Sequence, residues 1–418
     1  MIVVQKYGGS SVATTEKICN VAKRIKKTYQ DNKQVVVVVS AMGDTTDELI
    51  AMAKAISSLP DERELDKLLA TGEQASSALL TMALHEIGVP AVSLTGGQAG
   101  IITENVPGKA RILRVDPKRI YSELEEGKVV VVAGFQGITE NATWADITTL
   151  GRGGSDTTAV ALAAALKADR CEIYTDVDGV FTADPRIVPN ARKLDKISYE
   201  EMLELAQQGA RVMHSRAVEL GEIYGVDIIV AHSAREVPGT LITKEDGTSM
   251  ERRNPVRGIA HETDIAKITI VGVPDRPGIA YQIFHALAEA NINVDVIVQN
   301  VSLQGVTDLS FTVSLADFAK AQKVLEPVVR DIGAKDVISS VDLAKVSIVG
   351  TGIRSHPGYA DRMFGALAKE GINIVSITTS EIRITCLINK AEIQKAVQAL
   401  HDAFELEKPD GEVRSPIA

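Results

Sequence analysis

The stretch Ile2-Val3-Val4-Gln5-Lys6-Tyr7-Gly8-Gly9-Ser10-Ser11 lies at the start of the chain and indicates how it folds. Its apolar beginning predicts a strand, and apolar residues from Ile18 to Tyr29 recur at the spacing of an amphipathic helix. Between them, Lys6 and two glycines form a loop that can hold phosphate, because glycines let N–H groups approach an anion and a helix N-terminus adds a favourable dipole. An ordinary βα turn containing Gly-Gly is the alternative.

The first half of the chain alternates predicted strands and helices. Val35–Val39, Val129–Ala133 and Cys171–Tyr174 are short apolar runs typical of buried central strands, and Ala- and Leu-rich helices are predicted at 73–88 and 157–168. Each strand ends at a loop rich in Gly, Ser, Thr or Asp. The pattern predicts an α/β fold with an open, mostly parallel sheet, helices on both faces, and ligands beyond the carboxyl ends of the strands.

Composition excludes several classes of protein. At 418 residues the chain can form two or three domains, and its net charge of −10 argues against a nucleic-acid partner. It has no apolar run of the ~20 residues that a membrane helix needs, and no basic-then-apolar signal sequence at its start. Cys19, Cys171 and Cys386 are far apart, which predicts reduced thiols in a cytoplasmic protein and no metal-ligand spacing.

The second half contains a repeat. Aligning 277–301 with 357–381, at an offset of 80 residues, gives ten identical pairs among 25 positions. Two copies are too few for a solenoid and predict a pair of small α+β modules. Proline, glycine and mixed charges before the repeat predict a connection between domains. The predicted boundaries are a first domain 1–231, a linker 232–263, and two modules at 264–343 and 344–418, between which strand exchange stays open.

The segment Gly151-Arg152-Gly153-Gly154-Ser155-Asp156-Thr157-Thr158 precedes a predicted helix from Ala159 to Lys167. Ser155 or Asp156 is expected to cap that helix. Capping requires neither an arginine nor three glycines, whereas a guanidinium binds a carboxylate through two parallel hydrogen bonds and glycines leave room for a small ligand. The segment therefore predicts a ligand-binding loop.

Thr71-Gly72-Glu73 is predicted to begin another helix. Glu73 there either complements the helix dipole or binds a cationic amine, and both interpretations stay open. The loop Ser40–Thr46 adds hydroxyl groups and N–H donors. Together with Arg152, these groups are the ones needed to bind an amino acid by its carboxylate and its ammonium.

An acidic segment, Tyr174–Arg186, follows the third apolar run. It could orient Lys6 or contact a nucleotide with Mg²⁺, which takes few protein carboxylates besides phosphate oxygens. A tight acidic turn is the alternative. The sequence contains no Gly-x-x-x-x-Gly-Lys-Ser/Thr loop, so any phosphate transfer occurs without that motif.

These motifs and the doubled C-terminal module together resemble the bacterial aspartate kinase (aspartokinase) family of the amino-acid-kinase superfamily, and among its members the short class with two ACT domains. The resemblance covers essentially the whole chain. It implies an amino-acid-kinase fold with two ferredoxin-like ACT modules, and ATP-dependent phosphorylation of the L-aspartate side chain to 4-phospho-L-aspartate. This is the entry step to lysine, threonine and methionine. It further implies ATP and Mg²⁺ as cofactors, the ion held mainly by the nucleotide phosphates, with no metal centre of the protein's own.

The resemblance also implies roles for individual residues. Lys6 would stabilise the transferring phosphoryl group, Arg152 would hold the α-carboxylate, and Glu73, with Asp156 nearby, would face the ammonium. The implied catalytic residues are Lys6, Arg152 and Asp156. The implied aspartate-binding residues are Ser40, Thr45, Thr46, Glu73, Arg152 and Ser155. The implied nucleotide-binding residues are Lys6, Tyr7, Gly8, Gly9, Tyr174, Thr175, Asp176, Val180, Phe181, Asp184, Pro185, Arg186 and Arg211. Many relatives have lysine at the position of Arg211, where arginine keeps the charge but not its point-like geometry.

Effectors and partners follow from the same resemblance. L-lysine, L-threonine or both would bind the ACT domains, through which the chain would form a homo-oligomer. The implied effector-site residues are Asp275, Asn293, Val294 and Gln299 in the first module and Tyr359, Ala360, Asn373, Ile374, Thr379 and Ser380 in the second. Met250 could start a separately translated regulatory subunit.

Two other functions are open from the residues alone. One is a kinase of the same fold that acts on acetylglutamate, glutamate, UMP or carbamate. The other is a non-catalytic amino-acid sensor. The joint presence of Lys6, Glu73, Arg152 and Asp156 favours an enzyme.

Overall fold

The computed structural model describes residues 1–31, 33–140, 144–210, 212–245, 255–300, 305–354 and 357–409. The chain divides into two compact units. Unit 1 is Met1–Phe181 with Lys193–Met250, and unit 2 is Thr182–Arg192 with Glu251–Ala418. None of the helices in these described ranges is both long enough and apolar enough to cross a lipid bilayer. Arg211 and Met250 lie outside the described residues.

Unit 1 alternates strands and helices. Its elements are β1 (Ile2–Tyr7), a 3₁₀ turn (Gly9–Ser11), α1 (Thr15–Gln30), β2 (Gln34–Val39), α2 (Thr45–Ile56), α3 (Glu62–Glu86), β3 (Ala91–Leu94), β4 (Ile101–Thr103), β5 (Ile112–Val115), α4 (Lys118–Glu125), β6 (Val129–Ala133), β7 (Gln136–Thr139), β8 (Ile147–Thr149), α5 (Gly154–Ala165), β9 (Arg170–Thr175), β10 (Lys196–Ser198), α6 (Tyr199–Gln207), α7 (Ser215–Tyr224), β11 (Ile228–His232) and β12 (Thr240–Thr243).

The main sheet of unit 1 has eight strands in the order β10-β12-β11-β9-β1-β2-β6-β3. Every neighbouring pair is parallel except β11 and β12. The predicted open, mostly parallel sheet is therefore confirmed. β1 lies at its centre, with Lys6 opposite Val38 of β2 and Ile173 of β9. A smaller four-stranded sheet, β5-β4-β7-β8, also belongs to this unit.

Both faces of the central strands are covered. Val35, Val37 and Val39 pack in one cluster with apolar side chains of α1 and α3. Because successive side chains of a strand point to opposite faces, Val38 lies on the other face. There the side chains of Val38 and of Ser155 of α5 both lie close to Gly134. Burial on two faces explains why these strands contain an uninterrupted run of valine.

Two predicted helix starts are wrong. α3 runs without interruption from Glu62 to Glu86, so Glu73 lies in the middle of a helix and cannot complement the dipole at its start. Gly72 is a point of close approach, because a Cβ there would lie 2.8 Å from the Cβ of Ala41. α5 begins at Gly154, earlier than the sequence pattern predicts.

Unit 2 contains the remaining elements. They are β13 (Gly258–Glu262), β14 (Ile265–Pro274), α8 (Ile279–Glu289), β15 (Asp295–Gln299), β16 (Val306–Ser314), α9 (Leu315–Ile332), β17 (Asp336–Ser340), β18 (Leu343–Val349), α10 (Tyr359–Lys369), β19 (Ser376–Thr379), β20 (Arg383–Asn389), a 3₁₀ turn (Lys390–Glu392) and α11 (Ile393–Ala403).

The unit has two antiparallel four-stranded sheets, which confirms the two α+β modules. The first has the order β15-β16-β14-β17 and the second β13-β18-β20-β19. β13 precedes the first module in the chain but pairs with β18 of the second, with Ala260 opposite Ser347. It takes the edge position that β17 occupies in the first sheet.

The short segment Thr182–Arg192 also belongs to unit 2. Ala183 and Val188 are buried in the same apolar cluster as Leu400 of α11. The Thr182 hydroxyl lies 3.0 Å from Nε2 of the buried His401, and the Thr182 carbonyl accepts a hydrogen bond from the N–H of Ile259. The sequence predicts this segment as part of the first domain, whereas in the structure it packs against β13 and α11. The domain boundaries drawn from the sequence stay a prediction.

Leu84 and Met82 of α3 offer a matched test of the packing. Leu84 is fully buried against the sheet, whereas Met82 is 64% exposed. Leu84→Ala should lower the free energy of unfolding of unit 1 by about 2–5 kcal/mol, because it removes buried methyl groups and leaves a cavity. Met82→Ala should change it by less than about 0.5 kcal/mol. Urea unfolding of both variants measures this, and equal losses would contradict the assigned core.

Candidate active site

The candidate site begins with an ion pair at the end of β1. Nζ of Lys6 lies 2.6 Å from Oδ1 of Asp156, and about one-tenth of each side chain is exposed. Lys6 is the second-last residue of β1, and Asp156 is in the first turn of α5. The fold therefore places a cation at the carboxyl end of a central strand in a mostly parallel sheet, the edge at which ligands bind in open α/β folds.

The glycines after β1 permit close packing of two loops. A Cβ on Gly9 would lie 2.9 Å from the carbonyl oxygen of Ala41, and the N–H of Gly43 donates to the Gly9 carbonyl. A Cβ on Gly8 would lie 3.4 Å from Nζ of Lys6. The 3₁₀ turn that starts at Gly9 presents main-chain N–H groups, since the first groups of a helical turn have no partner within it.

Neither predicted residue caps α5. The capping position is Gly153, with a left-handed φ of 69° and no side-chain hydrogen bond, so that prediction is wrong. The Asp156 carboxylate instead pairs with Lys6 and accepts a hydrogen bond from the N–H of His214. Ser155 is nearly buried and faces the carbonyl end of β6 at Gly134.

Glu73 is a buried carboxylate that is only half satisfied. Its side chain is 3% exposed. Oε1 accepts a hydrogen bond of 3.1 Å from the N–H of Ala41, whereas Oε2 has no hydrogen-bond partner among the described residues. Burial raises the pKa of Glu73 to about 7, although its main-chain hydrogen bonds favour the ionised form. Such a group is poised to accept a hydrogen bond from a cationic ligand.

The other predicted aspartate-binding residues lie after β2 and around the start of α5. Ser40 follows β2, and its N–H donates to the Tyr7 carbonyl. Thr45 and Thr46 start α2, and the Thr45 hydroxyl donates to the Met42 carbonyl. Arg152 is exposed in the loop between β8 and α5. The structure therefore joins Lys6 to Asp156 directly and leaves the Arg152 guanidinium open to solvent.

A polar network inside the sheet was not expected from the sequence. Gln5 and Glu172, on adjacent strands, share a 2.8 Å hydrogen bond, and the Tyr174 hydroxyl donates to the same Glu172 carboxylate. The rings of Tyr7 and Tyr174 stack with centroids 4.9 Å apart. Burial, followed by the charge of Glu172, raises the pKa of Tyr174 to about 12. The available signal was Gln5, a polar residue within an apolar strand.

The predicted nucleotide-binding residues are divided. The rings of Tyr7 and Tyr174 are buried, and the carbonyls of these residues accept hydrogen bonds from the N–H groups of Ser40 and Gly8. Thr175, Asp176, Val180 and Phe181 belong to unit 1, and Asp184, Pro185 and Arg186 to unit 2. The Arg186 guanidinium is paired with the Asp184 carboxylate, which holds the pKa of Asp184 below its usual range.

The first α+β module contains a cavity of about 370 Å³ at the start of α8. Its lining includes Asp275 and Gln299 together with Arg276 and Pro277. Asn293 and Val294, also predicted for the effector site, are not among the lining residues. Val294 instead packs against the core of this module.

In the second module the predicted effector residues are in different environments. Tyr359 is buried in the core, with its ring stacked on Phe404 at 6.2 Å, and Ile374 packs against the same cluster. Ala360, Asn373 and Thr379 are exposed. The N–H of Ser380 donates to the Arg383 carbonyl.

Across the described ranges, no group of three or more His, Cys, Asp or Glu side chains is arranged to hold a metal ion.

Known protein families match most of the chain. The Amino acid kinase family matches residues 1–232, and the ACT domain matches residues 268–327 and 346–404. The first match covers seven of the eight strands of the main sheet, all but β12, and includes the Lys6–Asp156 pair. The second falls within each of the two modules of unit 2.

Individual proteins match over nearly the full length. The aspartate kinase of Pseudomonas putida is 54% identical over 408 residues, which are 98% of this chain and 98% of that protein. The structure of E. coli aspartokinase III in complex with aspartate and ADP (R-state) has a TM-score of 0.83 and 25% identity, and the match covers 97% of this chain and 100% of that one. The same enzyme with lysine and aspartate (T-state) has a TM-score of 0.71 and 25% identity, covering 96% and 99%.

The raised pKa of Glu73 makes stability depend on pH. Between the ordinary value of 4.5 and about 7, the folded chain keeps a proton that the unfolded chain loses. The free energy of unfolding should therefore fall across this range, by on the order of 3 kcal/mol, and stay low above it. Glu73→Gln removes this loss, so it should match the parent chain at pH values below this window and exceed its stability above it.

Urea unfolding at one pH on each side of the window measures this difference. Glu62→Gln, an exposed carboxylate on the same helix, is the control. A difference between Glu73→Gln and the parent chain that stays constant with pH would contradict the buried, half-satisfied carboxylate.

Proposed function

The chain belongs to the aspartate kinase family, ATP-dependent amino acid kinases with two C-terminal ACT regulatory domains, and we propose that it phosphorylates aspartate where β1 ends at Lys6. The observation that carries the placement is the largely buried Lys6–Asp156 pair, together with the half-satisfied Glu73. The near-complete match to aspartate kinases supports this activity over the sister kinases and over a non-catalytic sensor.

The reaction needs little acid–base chemistry. The side chain of aspartate is ionised at neutral pH, since its ordinary pKa is about 3.9. One of its carboxylate oxygens forms a bond to the γ-phosphorus of ATP. The bond from that phosphorus to the bridging oxygen breaks, and ADP leaves with the electron pair. No proton moves, so the site has to provide position and positive charge.

Lys6 supplies that charge in this proposal. Asp156 holds the ammonium near the strand end, and the low exposure of both groups strengthens their electrostatic interaction with a ligand. When the phosphoryl group binds, Lys6 can donate to its equatorial oxygens while it keeps Asp156 as a partner, because an ammonium has three donors.

Glu73 and Arg152 would recognise the amino-acid part of aspartate. The free oxygen of Glu73 accepts a hydrogen bond from the substrate ammonium, and the positive charge favours ionisation of the glutamate. Arg152 pairs with the α-carboxylate through two parallel hydrogen bonds. Ser40, Thr45, Thr46 and Ser155 complete the predicted pocket.

The nucleotide would bind beside Lys6. Gly8 and Gly9 allow the phosphates to approach main-chain N–H groups. Thr175 ends the adjacent strand β9, and Asp176 follows it. Mg²⁺ would be held mainly by the phosphate oxygens, with Asp156 as the carboxylate that the chain offers next to Lys6. The ion supplies positive charge to the phosphates.

The ACT modules would carry the regulation. The cavity at the start of α8 contains the carboxylate of Asp275 and the amide of Gln299, which suit the ammonium and carboxylate of a free amino acid. E. coli aspartokinase III was solved with lysine and aspartate. We assign lysine, threonine or both as effectors, and a homo-oligomer formed through edge strands such as β15 and β19, which expose Ile297 and Ile377.

Removing the Lys6 charge tests the proposed transfer. Lys6→Ala should lower kcat by at least about 10²-fold, the loss expected for a preorganised charge donor. Aspartate-dependent ADP release, with hydroxylamine trapping of the acyl phosphate, measures it. Lys23→Ala, which removes an exposed lysine of α1, is the control. Near-normal turnover of Lys6→Ala would remove this lysine from the chemical step.

The effector assignment predicts feedback inhibition. Aspartate-dependent turnover should fall when millimolar lysine, threonine or both are added, because an effector that binds one arrangement better shifts the population toward it. Asp275→Ala should raise the effector concentration needed, whereas Asp331→Ala, an exposed aspartate of α9, should respond as the parent chain does. Turnover that is constant across the whole lysine–threonine matrix would contradict the assignment.

A further inference from the structure

Two charged side chains in unit 1 have no part in the proposed chemistry but hold one loop. This arginine loop, residues 150–153, connects β8 to α5 and carries Arg152. The first side chain is Asp66 of α3, which is 1% exposed. Its carboxylate accepts hydrogen bonds from the N–H of Thr149 at 2.8 Å, the Thr149 hydroxyl at 2.6 Å and the N–H of Gly108 at 2.9 Å.

The second side chain is Arg216 of α7. Its guanidinium donates to the carbonyl oxygen of Leu150 at 2.6 Å and to that of Ala110 at 3.1 Å. It is half-buried, and this burial lowers its pKa, with the nearby charge of Arg111 acting in the same direction. Two main-chain carbonyls thus accept from one planar group, a geometry that lysine cannot reproduce.

The two charges act on the same pair of chain segments. Residues 108–110 and 149–150 run side by side, joined by a hydrogen bond from the Ala110 N–H to the Thr149 carbonyl. Asp66 accepts from the N–H groups of Gly108 and Thr149, and Arg216 donates to the carbonyls of Ala110 and Leu150. Two N–H groups and two carbonyls at the base of the arginine loop are therefore each bound by a charge of the opposite polarity.

The loop itself leaves from this base in a restricted conformation. Gly151 has a φ of 76°, and a Cβ there would lie 3.1 Å from the Gly108 carbonyl oxygen. Gly153 has a φ of 69°, and a Cβ there would overlap the ring of His214. Because the loop is tight on both sides of Arg152, a shift of its base moves the arginine.

A purely structural role would not require charged groups. A neutral amide or hydroxyl can also bond to main-chain groups, whereas a charged partner makes shorter and stronger hydrogen bonds. What the charges add is a fixed direction for each main-chain group that they bind. That direction matters where the loop must present a guanidinium to a carboxylate in one orientation.

We propose that Asp66 and Arg216 are positioning residues for the arginine loop, and that they set the affinity for the α-carboxylate of aspartate through Arg152. This rests on the proposed role of Arg152. Neither side chain touches substrate in this proposal. Their effect on the reaction is exerted through the main chain of residues 149–153.

Kinetics of the full chain test the proposal. Asp66→Asn replaces one acceptor oxygen with a donor that faces N–H groups, and Arg216→Met removes both donors. Each should raise the KM for aspartate by about tenfold or more, the scale of a misplaced binding group. The KM for ATP should stay within about twofold of the parent value. Arg216→Lys should restore only part of the loss, and Thr149→Ala is the milder variant should Asp66→Asn fail to fold.

A double-variant cycle separates positioning from general loss of stability. If Asp66 acts through Arg152, the aspartate KM of Asp66→Asn/Arg152→Ala should equal that of Arg152→Ala alone. Glu201→Gln, which alters a fully buried carboxylate at the start of α6, should lower the midpoint of thermal unfolding without this KM pattern.

The outcomes distinguish failure of the positioning role of Asp66 and Arg216 from failure of the proposed role of Arg152. Additive effects in the double variant, or equal rises in the KM for aspartate and for ATP, would overturn the positioning role while Arg152 keeps its own. An Arg152→Ala chain with the parent KM for aspartate would overturn the proposed role of Arg152 and the positioning role with it. A selective rise in aspartate KM that Arg152→Ala masks would establish the proposal.

Discussion

The ion pair between Lys6 and Asp156 joins the end of β1 to the first turn of α5, and the arrangement of the site depends on it. Both groups are nearly buried, so separating them would leave a charge without a partner in a medium of low dielectric. The start of α5 is therefore held against the sheet, and the closest residues around it have no room for a side chain. Gly134 lies under Ser155, and Gly153 lies against the ring of His214, where a side chain would collide.

The features that the sequence predicted are those with a local cause. A strand buried on both faces shows an unbroken apolar run, and accordingly Val129–Ala133 is β6 residue for residue. The repeat predicted two modules because each copy contains its own strand, Pro-Gly turn and helix. α8 and α10 begin at Ile279 and Tyr359, 80 positions apart, as the alignment of the two copies requires.

The features that were missed have causes distant in the chain. Gly72 has the local pattern of a helix start, yet it lies within α3, where its lack of a side chain leaves room for Ala41 of another loop. Asp156 has the pattern of a cap, yet its carboxylate is taken by Lys6. β13 and Thr182–Arg192 pack with elements that come far later in the sequence. Spacing along the chain carries no information on such pairings.

The continuity of α3 has a chemical consequence. Asp66 and Glu73 are seven residues apart on this helix, about two turns, and so lie on the same face. The first carboxylate accepts hydrogen bonds from two main-chain N–H groups and the Thr149 hydroxyl at the base of the arginine loop, and the second keeps one oxygen free. In the proposed complex, α3 thus carries the group that binds the ammonium and also anchors the loop that binds the α-carboxylate. A break at Gly72, as the local pattern suggests, would leave their separation undefined. An unbroken helix fixes the positions of both carboxylates along one axis.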